Sequence, residues 1–183
     1  PAEEKLIKSL TEFEGMTSIT LSANRERTNV IMGKEIRCLW GQGYITDYIG
    51  TVKYRISPLS FYQVNPAQTE KLYGLALEYA GLTGNETVWD LYCGIGTIGI
   101  ALSSHAKKVI GVELNPQAVK DAQINADLNH IKNIQFVNED AGDFLVRYAE
   151  GGRADVVIMD PPRSGSTPEF LQSLLQILSL IHI

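Results

Sequence analysis

The sequence has few cysteines and no long apolar run. Two cysteines in 183 residues, Cys38 and Cys93, are too few for a disulfide framework or a cysteine-rich metal site. We expect both to be free thiols in a reducing, cytoplasmic environment. No apolar stretch approaches the ~20 residues that span a bilayer, and the basic, apolar, small-residue order of a signal peptide is missing. The composition therefore predicts a soluble globular protein with neither a membrane anchor nor a bound metal.

An excess of positive charge is also lacking. The net charge is −5, and it is unevenly distributed. Residues 1–60 carry 8 basic and 7 acidic side chains, whereas residues 61–183 carry 8 and 14. This pattern is typical of an acidic nucleotide-type domain beside a near-neutral segment, and it neither requires nor excludes an RNA partner.

The first part of the chain, residues 1–60, is rich in short β-type runs separated by glycines. Its first ten residues read as the opening of an amphipathic helix. The Gly41-Gln42-Gly43 segment indicates a hairpin turn, so we predict a small antiparallel sheet. The predicted strands are Ser18–Leu21, Asn29–Met32, Ile36–Trp40, Tyr44–Ile49 and Val52–Ile56.

The second part, residues 61–183, alternates strands with helices. A helix is predicted from an Asn65 cap and Pro66 to a Gly81 stop, with an apolar stripe of Leu72, Leu75, Ala76, Tyr79 and Ala80. Four strand–helix units follow, which indicates a parallel sheet covered on both faces. The predicted fold class is therefore α/β, an incomplete Rossmann-like domain. The predicted strands are Thr87–Tyr92, Lys108–Glu113, Ile134–Asn138 and Asp155–Asp160.

A glycine-rich loop, CGIGTIG at positions 93–99, lies between the first of these strands and its helix. Such glycines let the backbone turn tightly and approach a ligand. Glu113 ends the next strand, where an acid can bind a ribose diol. Both a nicotinamide dinucleotide and S-adenosylmethionine fit this layout. Asp90, just before the loop, would repel a pyrophosphate and attract a cation, which favours S-adenosylmethionine.

Two further acids follow strands and fit the same cofactor. Asp140 can accept a hydrogen bond from an adenine amino group, and Asp160 would face the crevice. Asp160 opens the tetrapeptide DPPR, and nucleic-acid amino-methyltransferases carry a similar tetrapeptide that ends in an aromatic residue. Arg163 stands in that place here, so amino-methylation stays open as a less favoured alternative.

Four segments together carry a resemblance to a known family. FYQVNP (61–66), DLYCGIGTIGI (90–100), GVELNPQAV (111–119) and DPPRSG (160–165) resemble the RNA uracil-5-methyltransferases, and the bacterial 23S ribosomal RNA branch most closely. The resemblance implies S-adenosylmethionine as cofactor and a uridine of ribosomal RNA as target. The cofactor-binding residues that it implies are Gln63, Tyr92, Glu113, Asp140 and Asp160.

The family mechanism uses a cysteine nucleophile in an S-C-N-P motif and a later glutamate base. Neither Cys38 nor Cys93 matches that motif, so we expect both groups beyond Ile183 and no catalytic residue within the chain. The chain is thus expected to be a fragment that binds cofactor without methylating RNA. Its tail, Leu178–Ile183, is predicted either to pair as a surrogate strand or to be unrelated sequence. A nicotinamide-dependent oxidoreductase and a non-enzymatic cofactor- or RNA-binding role are the rival interpretations.

Overall fold

The computed structural model describes residues 2–25, 32–33, 35–149, 152–163 and 165–177. Contacts within the chain divide it into two compact units. The first comprises Pro1–Asp47 with Arg55–Ser60, and the second Tyr48–Tyr54 with Phe61–Ile183. The predicted division at residue 60 stays a prediction. The predicted tail strand Leu178–Ile183 lies outside the described residues.

The first unit begins with the expected helix, α1 (Ala2–Thr11), which buries none of its side chains. Strand β1 (Ser18–Ser22) pairs antiparallel with β2 (Ile36–Gly41). Of the predicted strand Asn29–Met32, residues 29–31 lie outside the described residues, and Met32 is not in a strand.

The predicted antiparallel β-rich segment is confirmed, but its described strands form two separate pairs rather than one small sheet. Strand β3 (Ile45–Ile49) pairs with β4 (Val52–Ile56) rather than with β2 across Gly41-Gln42-Gly43. Only two residues, Gly50 and Thr51, join β3 to β4, and Gly50 has a φ of 58°. That left-handed conformation suits a tight two-residue hairpin, which gives β3 a nearer partner than β2.

The second unit confirms the predicted α/β fold class. Its four parallel strands lie in the order β7-β6-β5-β8. They are β5 (Thr87–Leu91), β6 (Lys108–Glu113), β7 (Ile134–Asn138) and β8 (Val156–Met159). The helices are α2 (Pro66–Ala80), α3 (Thr97–Leu102), α4 (Pro116–Leu128), α5 (Ala141–Ala149) and α6 (Pro168–Ile177), and a 3-10 turn, Ser103–His105, follows α3.

Helix α2 has the predicted ends but buries only part of the predicted apolar stripe. The Asn65 side chain accepts a hydrogen bond from the Gln68 amide, Pro66 is the first helical residue, and Gly81 closes the helix in a left-handed conformation. The buried positions, however, are Thr69, Tyr73 and Ala80. Of the predicted stripe, Leu72, Leu75 and Tyr79 are about half exposed, at 53%, 47% and 61%. The side chains that this helix buries therefore do not follow its apolar stripe alone.

One core cluster of the second unit lies between the sheet and the helices α5 and α6. Trp89 of β5 is almost fully buried and packs edge-on against Phe144 of α5, with ring centroids 5.0 Å apart. Other members of this cluster are Leu91, Ile110, Val112, Ala141, Leu145, Ala154, Val157, Phe170 and Leu174. Among the described residues, no helix combines the length and the apolar character needed to cross a bilayer.

The strand order determines where a ligand can bind. From β5 the chain continues to β6 and β7 on one side, and then returns to place β8 on the other side of β5. The connections after β5 and β8 therefore diverge, and open parallel sheets bind ligands at such a switch point, beyond the carboxyl ends of the strands.

Candidate cofactor site at the switch point

A cavity lies at this switch point, beyond the ends of β5 and β8. Its enclosed volume is only about 50 Å³, so a ligand as large as a nucleoside has to extend along its open side. Among the described residues, the lining is rich in aromatic side chains, has the carboxylate of Asp160 and includes no basic side chain. The lining residues are Phe61, Tyr62, Gln63, Tyr73, Tyr92, Cys93, Gly94, Ile95, Thr97, Ile98 and Asp160.

The loop after β5 turns through several left-handed residues. Tyr92, Gly94 and Gly96 have φ values of 66°, 56° and 81°. The Gly96 amide donates to the Cys93 carbonyl at 2.8 Å, which closes the turn before α3 begins. Tyr92 is the exception, because a side chain disfavours this conformation. Strained residues of this kind cluster at ligand-binding sites.

We expect Gly96→Ala to be far more destabilising than Gly94→Ala. A Cβ at Gly96 would lie 2.9 Å from Cζ of Phe136, whereas a Cβ at Gly94 meets no atom within 4 Å. The left-handed backbone costs each alanine about 1–2 kcal/mol, and overpacking adds about 1–3 kcal/mol at Gly96 alone. Urea denaturation measures the two free energies of unfolding, and equal losses would contradict the close packing against Phe136.

Three of the five predicted cofactor-binding residues line the cavity. Gln63 enters from the connection before α2, Tyr92 from the glycine loop, and Asp160 from the residue after β8. Gln63 and Tyr92 are half-buried, and Asp160 is exposed. The structure thus brings an amide, an aromatic ring and a carboxylate together from three separate segments.

Glu113 lies beside the loop but not among the residues that line the cavity. One of its carboxylate oxygens accepts a hydrogen bond from the Gly94 amide at 3.0 Å, and the other accepts from the Asn115 amide at 2.8 Å. Glu113 therefore holds the glycine loop to the end of β6. Its predicted contact with a ribose stays a prediction.

Asp140 is at the carboxyl end of β7, away from the enclosed cavity. Its Oδ1 accepts hydrogen bonds from the amides of Gly142 at 2.8 Å and Asp143 at 3.3 Å. This is the geometry of a helix cap, here at the start of α5. Asp140 thus has a structural role, and its predicted adenine contact stays a prediction.

Asp90 stabilises the loop from inside the protein. Its side chain is 1% exposed, and its Oδ2 accepts a hydrogen bond from the Gly99 amide at 2.8 Å. Burial raises the pKa of Asp90 to about 7, against the effect of the Gly99 amide and with a further contribution from the charges of Asp160 and Glu113. Asp90 can act on a ligand only through its charge, because it does not line the cavity.

Two tyrosines near the loop were not predicted as site residues. Tyr73 of α2 lines the cavity, and burial raises the pKa of its hydroxyl. The Tyr54 hydroxyl donates to the Thr97 carbonyl at 2.9 Å. Nothing in the spacing of either tyrosine distinguishes it from an ordinary core aromatic.

Cys93 lines the cavity, but its surroundings do not favour a nucleophilic thiolate. Burial raises the pKa of Cys93 well above its ordinary value, and the charges of Asp90 and Glu113 raise it further. A thiol that resists ionisation is a poor nucleophile. Cys38 is exposed and belongs to the first unit. Within the described ranges, no group of histidine, cysteine and acidic side chains could hold a metal ion.

The comparison with protein families decides the broad assignment. The model of the TRM5/TYW2 methyltransferase domain matches residues 78–182, more than half of the chain. The chain belongs to this methyltransferase family. Its cofactor is S-adenosylmethionine, and the acidic and aromatic cavity without a lining cation fits that positively charged molecule. This assignment excludes the rival interpretation as a nicotinamide-dependent oxidoreductase.

Two similar curated sequences are described as uncharacterized RNA methyltransferases. An uncharacterized RNA methyltransferase of Clostridium tetani is 48% identical over 97% of the chain, and one of Halalkalibacterium halodurans is 52% identical over 97%. Each match covers 39% of the relative. The chain thus spans about two fifths of the length of the curated relatives that it matches.

Solved structures share the fold. The tRNA (uracil-54, C5)-methyltransferase of Pyrococcus abyssi, in complex with S-adenosyl-L-homocysteine, is 30% identical, with a TM-score of 0.73 over 91% of this chain and 40% of that one. Trm5b of the same organism has a TM-score of 0.65 at 18% identity, over 93% of this chain and 48% of that one. The second likeness shows the fold alone.

The predicted membership in the RNA uracil-5-methyltransferases, and in their 23S ribosomal RNA branch, is wrong, because the matching family is TRM5/TYW2. The physical reason is that the resembling segments surround the cavity at the switch point. Phe61–Gln63, the glycine loop and Asp160 supply lining residues. Methyltransferases with different targets use the same cofactor, so these segments do not identify the base that is methylated.

Proposed function

We propose that the protein transfers a methyl group from S-adenosylmethionine, held at the β5–β8 switch point, to a base of a folded RNA. One observation carries the proposal: Gln63, Tyr92 and Asp160 meet in a single cavity, and the TRM5/TYW2 methyltransferase domain that matches residues 78–182 supplies the last two. The RNA substrate rests on the relatives, which are described as RNA methyltransferases.

Each of these residues has a chemical role that suits the cofactor. The Asp160 carboxylate would accept a hydrogen bond from the cationic methionine amino group, and the Gln63 amide can both donate and accept. The Tyr92 ring would cover an apolar face of the ligand. The cofactor supplies a methyl group on a sulfonium ion, and the negative charges of Glu113 and Asp160 favour that cation.

One observation favours a particular atom of the base as the acceptor of the methyl group. The Pyrococcus abyssi structure at 30% identity is a methyltransferase of uracil carbon 5 in tRNA. Carbon 5 of uracil is therefore our second, narrower candidate, with tRNA and ribosomal RNA as the two possible carriers. Amino-methylation is the competing chemistry, because Arg163 follows the two prolines after Asp160 and can stack on a base. A cytoplasmic location accompanies these proposals as a prediction.

Methyl transfer to deproteinised total RNA tests the proposal. The full-length protein and its Asp160→Ala variant are incubated with tritium-methyl cofactor, the RNA is separated into tRNA and ribosomal RNA, and the labelled nucleosides are identified after digestion. We expect label on a base with the wild-type protein and little label with the variant. Label on uridine carbon 5 would support the narrower candidate, and label on an amino group would support its competitor. An absence of label from all RNA would contradict the proposed function.

A further inference from the structure

The backbone of the glycine loop is held by four side chains from four different elements. From the strands, Asp90 of β5 accepts from the Gly99 amide and Glu113 of β6 accepts from the Gly94 amide. Two neutral side chains hold its carbonyl groups. These are Asn125 of α4, whose Nδ2 donates to the Ile95 carbonyl at 3.2 Å, and Tyr54, whose hydroxyl donates to the Thr97 carbonyl at 2.9 Å.

Tyr54 differs from the other three because it comes from outside the strand–helix repeat. It ends the hairpin segment Tyr48–Tyr54, which belongs to the second unit although its sequence precedes that unit's first helix. Its side chain is completely buried. Burial raises the pKa of the Tyr54 hydroxyl, so it keeps its proton and remains a donor at neutral pH.

The hairpin segment is attached to the second unit at two further points. The Lys53 amide donates to Oδ1 of Asn129 at 2.9 Å, and Nδ2 of Asn129 donates to the Lys53 carbonyl at 2.7 Å. The Gly50 amide donates to the carboxylate of Glu70 at 2.9 Å. Asn129 therefore fixes the backbone next to Tyr54, which determines where the buried hydroxyl lies.

We infer that Tyr54 is a positioning residue for the cofactor loop, held in place by the hairpin through Asn129. It acts on Thr97, which lines the cavity and begins α3. The hydroxyl of Tyr54 holds the Thr97 carbonyl, to which it donates at 2.9 Å. Without Tyr54, the loop would occupy its binding-competent conformation for a smaller fraction of the time, and the apparent affinity falls with that fraction. This inference rests on the proposed cofactor site.

Calorimetric titration of the full-length protein with S-adenosylhomocysteine tests the inference. Tyr54→Phe removes only the hydroxyl, and we expect Kd to rise about three- to tenfold, as for a lost hydrogen bond. Tyr79→Phe is the matched control, because it removes a hydroxyl from an exposed tyrosine of the same unit, and its Kd should equal that of the wild type. An unchanged Kd in a folded Tyr54→Phe variant, or an equal rise in the control, would overturn the inference.

Hydrogen exchange separates positioning from general stabilisation. In Tyr54→Phe, amides in the first turn of α3, Gly99 and Ile100, should exchange faster, while those of β6 and β7 keep the wild-type rates. Faster exchange throughout the sheet would mean that Tyr54 only stabilises the fold. If the wild type fails to bind the ligand, the proposed cofactor site fails, and the exchange of Gly99 and Ile100 still decides the role of Tyr54.

Asn129→Ala provides a second test that leaves the tyrosine in place. It removes both hydrogen bonds to Lys53, so the hairpin should loosen and Kd should rise in the same direction as in Tyr54→Phe. Combining the two substitutions should raise Kd by less than the product of the separate factors, because both act through one contact. Fully multiplicative effects would contradict the connection between the hairpin and the loop.

Discussion

Replacement of Asp90 by asparagine should raise the free energy of unfolding at pH 8 by up to about 4 kcal/mol. Burial raises the pKa of Asp90 from its usual 3.8 to about 7 in the folded protein. Between these two values the folded chain binds a proton that the unfolded chain has released, so stability falls as the pH rises from about 4 to 7. Asparagine carries no charge to bury, and its side-chain oxygen can still accept from the Gly99 amide.

Near pH 4 the two proteins should differ little, because Asp90 is then protonated in the folded state. Urea denaturation from pH 4 to pH 8 measures the effect as the difference between the two curves. Glu78→Gln is a suitable control, because it removes a carboxylate from the exposed side of α2. An equal gain in the control, or parallel curves for Asp90→Asn and the wild type, would show that Asp90 is not protonated at neutral pH.

Replacement of Asp160 by alanine should weaken S-adenosylmethionine binding about 10- to 150-fold. Loss of a hydrogen bond that involves a charged group costs about 1.5–3 kcal/mol, and each 1.4 kcal/mol changes Kd tenfold. Asp160 is exposed at the edge of the cavity, directly after β8, so its removal should leave the fold intact. Calorimetry on the folded variant measures the loss.

The Glu113→Ala variant should also bind S-adenosylmethionine more weakly, but for two combined reasons. It removes the hydrogen bonds to the Gly94 and Asn115 amides as well as any ligand contact. We therefore expect a loss of thermal stability in Glu113→Ala that Asp160→Ala does not show. Unchanged affinity in both variants would remove the two carboxylates from the cofactor site.

The elements of the second unit could be predicted from local signals in the sequence. The Asn65 cap, Pro66 and the Gly81 stop mark the two ends of α2 because each satisfies or ends the backbone hydrogen bonds of the helix. Strand pairing in the first unit could not be predicted in this way. Strand β3 could pair with β2 or with β4. Its partner depends on which of the two connecting turns forms the hairpin, and not on the strand sequences alone.

The cavity could be predicted in part. Gln63, Tyr92 and Asp160 converge as expected, because they lie beside a glycine loop and after strands that end at one edge of the sheet. The hydrogen bonds of Glu113 and Asp140 to backbone amides could not be predicted, because such bonds leave no pattern in the sequence. The same holds for the hydrogen bond of Tyr54 to a backbone carbonyl. The recognisable segments do not identify the family because they line the cavity and carry no signal for the methylated base.

Hydrogen exchange of the full-length protein with and without S-adenosylhomocysteine tests the central claim most directly, which is that the cofactor binds where the connections after β5 and β8 diverge. We predict that the ligand slows exchange of the loop amides at positions 92–99 and of the connection that begins at Asp160. Positions 129–133 line a separate cavity that excludes the glycine loop, and their exchange should stay unchanged. Protection confined to positions 129–133, or no protection at the glycine loop, would contradict the account.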